Sequence, residues 1–503
     1  MKKLKLNYKR TLIIGFAFFS ILMVWQGYNF YCPLFLRHLL SDILEKNNAT
    51  EYSEFIVGVI MALDNVLALF MLPIFGKLSD KTNTKYGKRM PFIILGMIAT
   101  MIAYPFMALC YLWNSLVGLI ITMLIVLIIM NIYRSPAVAL MPDVTPKPLR
   151  STANGLINLV GYFGPILITV VNMIPFLTFS QGDKGLVHLL IPALVVEVSL
   201  LIAIIVLILK IKENKILDEM QDDLKLGEEL SLTEEKVEED KPLSKRDKRN
   251  MIILLIAVCF WFMSFNAIET FNSTYFDEYY TEMSINEEEY NSDETYYIIS
   301  DDDNPDYTID GNGYHEISFS EADFYNYSGD IYIKSYKGSS IASLATIILT
   351  VSAVVTFAVA GFFAVKFGRK PNIIVGILCL IIGFFVINFI KSNSFIIYIM
   401  FFLVGTGWAL INVNSYPMMV EMSSSKNIGK FTGMYYTASM IAQSVTPILL
   451  GGIIAFIPSV TLRHLFIYAA IMSLIALILI IFFKENRDKV KEIKKGLSAF
   501  DQD

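Results

Sequence analysis

Three carboxylates stand inside long apolar stretches of the chain: Asp64, Glu197 and Glu269. An acid in hydrocarbon costs about 2.5–3.5 kcal/mol on insertion scales, so each must face protein or water. The chemistry open to them there is reversible. Such a group takes and releases a proton, holds a cation, or binds a polar solute. Asp64 lies 11 residues from Ser53 and 12 from Gly76, which bound its apolar run. At the helical rise this is about 16 Å from either end, the middle of a bilayer. Asp64 is therefore expected to carry protons, with Asn65 beside it. Glu269, in "SFNAIETFN", is expected to bind solute or share the coupling, together with Asn266. Glu197 receives no role.

The elements that must position these groups are membrane helices. The chain has 503 residues, 55% of them hydrophobic. Runs of about 20 apolar residues span a bilayer, and backbone in hydrocarbon must be helical. Twelve runs occur, near 11–35, 53–76, 91–112, 115–134, 151–175, 188–210, 250–271, 341–365, 372–390, 394–415, 431–457 and 464–483. The basic N-terminus before the first run resembles a signal peptide without a small-residue cleavage site, so it reads as a retained helix. With the N-terminus cytoplasmic, 34 of the 41 Lys and Arg residues fall on the inner side. The positive-inside rule then puts both termini in the cytoplasm of a multi-pass cell-membrane protein.

The net charge of −5 resides in loops and implies no nucleic-acid partner. Cys32, Cys110, Cys259 and Cys379 lack zinc or redox spacing, and no phosphate-binding loop is present. No metal, cofactor, ATP drive or enzymatic activity is expected. Residues 212–249 mix 13 acids with 9 bases and read as a cytoplasmic linker between halves 1–211 and 250–503. Residues 272–338 carry 17 acids and 12 tyrosines. "ETYYIIS", "YHEISF" and "GDIYIKSY" in that segment predict a small external β-rich insertion. Its Asp-rich turns miss the EF-hand spacing.

A loop motif recurs. "YGKRMPFIILG" (86–96) matches "FGRKPNIIVG" (367–376), and Asp143 with Gly155 repeats as Glu421 with Gly433. Two motifs in the same order imply duplicated six-helix halves, a transporter architecture. "GKLSDKTNTKYGKRMP" resembles the loop signature of the major facilitator superfamily. "DNVLALFMLPIFGKLSDKTNTKYGKRMPF", "RSPAVALMPDVTP" and "WFMSFNAIETFNSTYF" resemble its sucrose-transporter-like branch, near the glycoside–pentoside–hexuronide:cation symporters.

The resemblance implies a fold of twelve transmembrane helices, all-α apart from the insertion, that alternates access to a central cavity. It implies that Asp80 meets the start of helix 11. Gly76 lets helices approach closely, and Lys88 and Arg89 can pair with Asp143. Arg369 and Lys370 can pair with Glu421. Together with Gly87, Arg150 and Lys430, these residues form an expected inner gate. Arg134, counted to the inner end of helix 4, joins it. Melibiose-type sodium symporters carry carboxylates where Ala68 and Leu72 stand, so a proton is expected rather than sodium.

Cavity-lining helices of that fold would present Trp25, Gln26, Asn29, Asn131, Asn158 and Tyr162 from the first half. Asn266, Glu269, Trp408, Asn412, Asn414 and Gln443 would come from the second. Amides and ring faces suit a neutral polyhydroxylated solute. The expected function is import of a sugar or glycoside, of di- or oligosaccharide size, with protons, by a monomer in the bilayer. The alternatives are a cation-coupled exporter of hydrophobic compounds, and a non-transporting receptor that uses 272–338.

Overall fold

The computed structural model describes residues 5–146, 149–174, 179–180, 185–235, 245–286, 296–299, 314–317, 324–325, 327, 330–420, 422 and 428–484. Twelve of its helices are long and apolar enough to cross a membrane. The first half holds α1 (Tyr8–Glu45), α2 (Ser53–Lys81), α3 (Met90–Ala103), α4 (Pro105–Leu112), α5 (Leu116–Asp143), α6 (Arg150–Met173) and α7 (Leu186–Lys210). Helices α3 and α4 make one crossing, divided at Tyr104 because Pro105 lacks a backbone donor. The linker contains α8 (Glu213–Glu235). The second half holds α9 (Lys245–Tyr280), α10 (Gly338–Phe367), α11 (Arg369–Ile387), α12 (Phe395–Val420), α13 (Ile428–Phe456) and α14 (Leu465–Phe482).

The helices outrun the apolar runs that announce them. A hydropathy window stops at the first charges, whereas helical hydrogen bonding continues into polar surroundings. Thus α1 ends at Glu45, α5 at Asp143 and α9 at Tyr280. This corrects the placement of Arg134. It lies nine residues short of the end of α5, about 14 Å inside it.

The duplicated loop is repeated in backbone geometry. Gly87, before α3, has φ 111°, and its counterpart Gly368, before α11, has φ 93°. Only glycine adopts such angles without strain. The paired glycines further on also match. A Cβ at Gly96 would lie 2.5 Å from Tyr133 of α5, and one at Gly376 would lie 2.7 Å from the Gly407 carbonyl of α12. Each half thus packs its third crossing closely on its fourth.

Between α9 and α10 lies an antiparallel sheet of β1 (Glu282–Ile285), β2 (Tyr296–Ile299), β3 (Tyr314–Ile317) and β4 (Tyr332–Tyr336), in the order β1-β4-β2-β3. Tyr296, Phe324 and Ile331 form its own small core. The sequence marks β2, β3 and β4. It does not mark β1, which follows α9 after a single residue with no turn-forming cluster between. The Asp-rich stretch 300–313 lies outside the described residues. Seven crossings precede the sheet and five follow it, so it lies at the opposite end from Tyr8 of α1 and Phe482 of α14; these ends are the sheet side and the terminus side.

The halves meet along three seams: α2 on α13, α6 on α10, and α1 on α9. The first is tight on the sheet side. A Cβ at Gly58 would fall 2.2 Å from the Pro447 carbonyl, and one at Gly451 would fall 2.4 Å from the Glu54 carbonyl. On the terminus side a Cβ at Gly433 would meet no described residue within 4 Å.

Candidate functional site

A cavity of about 330 Å³ lies between the halves. Helix α1 lends it Trp25, Gln26 and Asn29; α5 lends Arg134, and α6 Tyr162. Opposite stand Asn266 and Glu269 of α9, Trp408 of α12 and Gln443 of α13. Asn29 Nδ2 donates across the space to Glu269 Oε1 at 3.3 Å. The Arg134 guanidinium lies 4.2 Å over the Trp25 ring, a cation–π contact. Trp408 stacks on Phe265 with centroids 3.8 Å apart and planes 9° from parallel. The cavity therefore offers one fork of donors, one carboxylate, several amides and two indole faces.

Asp64 is not part of the wall. It is 5% exposed in α2, close enough to interact electrostatically with both Arg134 and Glu269. Arg134 is thus under the influence of two carboxylates, one buried and one open to the cavity. Asn65, beside Asp64, is buried too.

Four other amides singled out by type lie off the wall. Asn131 donates to Leu127 O at 2.9 Å, Asn412 to Trp408 O at 2.8 Å, and Asn414 to Leu410 O at 2.7 Å. Asn158 is likewise absent from the lining. An amide in an apolar helix finds its nearest acceptor one turn back in its own backbone. Composition does not separate these from amides that face a cavity. Phe262, Phe265, Thr346 and Thr350 line the wall without having been singled out. The i, i+4 spacing of the two threonines puts them on one face of α10, which was a usable signal. Glu197 is half-buried in α7, away from the cavity.

The charged loop on the terminus side is built around Arg89. Its Nε donates to Asp143 Oδ2 at 2.8 Å, and Lys88 Nζ pairs with the same oxygen at 3.1 Å. Its terminal nitrogens reach Ser79 and Asp80. Asp80 is thus paired inside its own half in this structure. Gly76 faces Ser135 of α5, with 2.9 Å from a built Cβ to that hydroxyl. Arg150 donates to the Thr145 and Pro142 carbonyls, closing the end of α5. In the second half Lys370 Nζ donates to Ile481 O and Phe483 O at the end of α14. Glu421 lies outside the described residues, as does the side chain of Lys430.

One residue that holds the charged loop was invisible in the sequence. Glu213, the first residue of α8, is fully buried and accepts from the backbone of Lys88, Arg89 and Met90 at 2.9–3.2 Å. It caps the start of α3, where free amides and the helix dipole favour an anion. Asn214 donates to Thr84 O and Lys85 O. A Cβ at Gly87 would fall 2.1 Å from Glu213 Oε2, so this glycine is required for contact as well as for its φ.

The architecture matches solved transporter structures. An inward-open xylose transporter, XylE from E. coli, aligns with TM-score 0.62 at 13% identity, covering 97% of this chain and 98% of that one. A D-xylose–proton symporter aligns with TM-score 0.59 at 15% identity, covering 95% and 97%. A mutant of the nucleoside transporter NupG aligns with TM-score 0.60 at 11% identity, covering 95% and 100%. At such identities the likeness establishes the fold. No curated protein matches the sequence. The model of the Major Facilitator Superfamily matches residues 2–169 and 319–500, more than half of the chain. This twelve-helix membrane transporter belongs to the Major Facilitator Superfamily.

Proposed function

We propose that the chain imports a sugar or glycoside, of di- or oligosaccharide size, with protons, as a member of the sucrose-transporter-like branch. The observation that carries this reading is the position of Arg134. It lies over Trp25, lines the cavity, and is close enough to both Asp64 and Glu269 to interact with each electrostatically. A fork of donors beside ring faces meets the two needs of a sugar, paired hydroxyl contacts and a flat apolar surface.

Coupling follows from competition. Charged Asp64 attracts Arg134. A proton on Asp64 removes that attraction, and the guanidinium turns its donors to solute hydroxyls. Loss of the proton restores the pull of Asp64 and weakens the hold on the solute. Solute and proton therefore enter and leave together. The solute also competes with the Asn29–Glu269 bond, which joins the halves. The Lys and Arg bias places the termini in the cytoplasm. On that orientation the close contacts of Gly58 and Gly451 lie on the outer side, which supports an inward-facing state. The xylose–proton symporter and the xylose transporter among its structural relatives lend support at the level of fold.

The test is uptake of a panel of mono- and disaccharides into proteoliposomes under an imposed pH gradient, with Asp64→Asn beside wild type. At least one sugar should accumulate against its gradient in the wild type. In Asp64→Asn, downhill exchange should persist without accumulation. Uptake indifferent to both the gradient and the substitution overturns the reading.

A further inference from the structure

Polar contacts between the halves gather on the sheet side of the cavity. Arg37 of α1 is held from two flanks. Its Nε meets Glu54 of α2 at 2.9 Å, and Nη2 pairs with Glu278 of α9 in the other half. The three side chains are 20%, 6% and 16% exposed. Nearer the cavity, Ser273 Oγ donates to Phe30 O at 3.2 Å.

A second set of contacts lies beside α10. Phe179 is fully buried in the first half among Tyr31, Phe35 and Tyr111, with ring centroids 5.1–5.8 Å apart. Its carbonyl accepts from Ser339, at the start of α10. The adjacent Ser180 accepts from Lys334 of β4 at 2.9 Å. Strand β4 is steadied by its neighbours in the sheet, since β1 and β2 both pair with it.

We propose that the Arg37–Glu54–Glu278 cluster, with the Ser339–Phe179 and Lys334–Ser180 pins, is the gate that closes the cavity on the sheet side, β4 acting as its strap. The proposal rests on the alternating-access reading above. Two acids share one guanidinium for a physical reason. Opening must part Arg37 from Glu278, because they belong to different halves. Glu54 moves with Arg37, so the cation keeps a partner, while Glu278 parts into the water that fills the opened mouth. The Ser and Lys pins end on hydroxyl or carbonyl oxygen, and their donors and acceptors rebond with water when the mouth opens. The gate is therefore polar and reversible, whereas a purely apolar seal would expose greasy surface at each opening.

Water access reports the gate without any solute. Thr346, on the cavity wall, is replaced by cysteine in the full chain, and intact cells are treated with a membrane-impermeant maleimide. Labelling at position 346 is read by mass spectrometry. Lys334→Cys, on the sheet, serves as the control for which face meets the reagent. Arg37→Gln and Glu278→Gln should each raise labelling at least fivefold, and Lys334→Ala about twofold. The exchanged pair Arg37→Glu with Glu278→Arg restores one guanidinium between two acids and should return labelling to within twofold of the parent. Unchanged labelling in every variant, with each protein monodisperse on size exclusion, overturns the gate. Raised labelling in a protein that takes up no sugar upholds the gate and overturns the sugar reading instead.

Discussion

Arg134 is where the charges of both halves converge, and its chemistry is hard to replace. Lysine keeps the charge but loses the planar fork and the flat contact with Trp25. Arg134→Lys is expected to lower the uptake kcat/KM by tenfold or more, with protein yield unchanged. Asn29→Ala removes a bond to a charged acceptor, and a loss of about tenfold is expected in the same assay. At this scale the sequence was partly legible. Trp25, Gln26, Asn29, Tyr162, Asn266, Glu269, Trp408 and Gln443 reach the wall, because a polar or aromatic residue in a cavity-facing helix has good reason to be there. Asn131, Asn412 and Asn414 have an equal reason to be elsewhere, since each satisfies itself on its own helix. Arg134 was misplaced by a residue count that took the end of an apolar run for the end of a helix.

Among the elements, the start of α8 does most to fix the charged loop. The sequence showed the loop but not its clamp. Glu213 stands 125 residues from Lys88 in the chain, at the head of a charged run that reads as solvated. Only its complete burial against three amides distinguishes it. Glu213→Gln keeps the shape but loses the charge, which in bonds of this kind is worth about 1.5–3 kcal/mol. Gly87→Ala adds backbone strain of about 1–3 kcal/mol and displaces the carboxylate. Each should lower the midpoint of thermal unfolding in detergent, and the double variant should show less than the sum, because both act on one contact. Asp80→Asn, at a residue whose side chain is 57% exposed, should change stability by at most about 1 kcal/mol. The strands tell a related story. Those flanked by turn-forming residues were legible, whereas β1 had to borrow its identity from the partner β4.

For the whole molecule, the duplicated loop carried the most information. Two short matches were enough to imply two halves, and the shared positive φ of Gly87 and Gly368 is the physical reason both copies kept glycine. What the sequence could not convey was the state of the assembly. Which end is pinned depends on pairs such as Arg37 with Glu278, drawn from stretches 241 positions apart. No local pattern records such a pairing.

The grip of Glu213 and Asn214 on the first half assigns α8 to that half, although it follows the sixth crossing. Peptide continuity between Glu235 and Lys245 is then dispensable for assembly. Two co-expressed fragments divided within that interval should find one another and copurify on a tag carried by either. Division at Lys212 strands the clamp on the wrong fragment, and recovery of the reassembled transporter should fall severalfold.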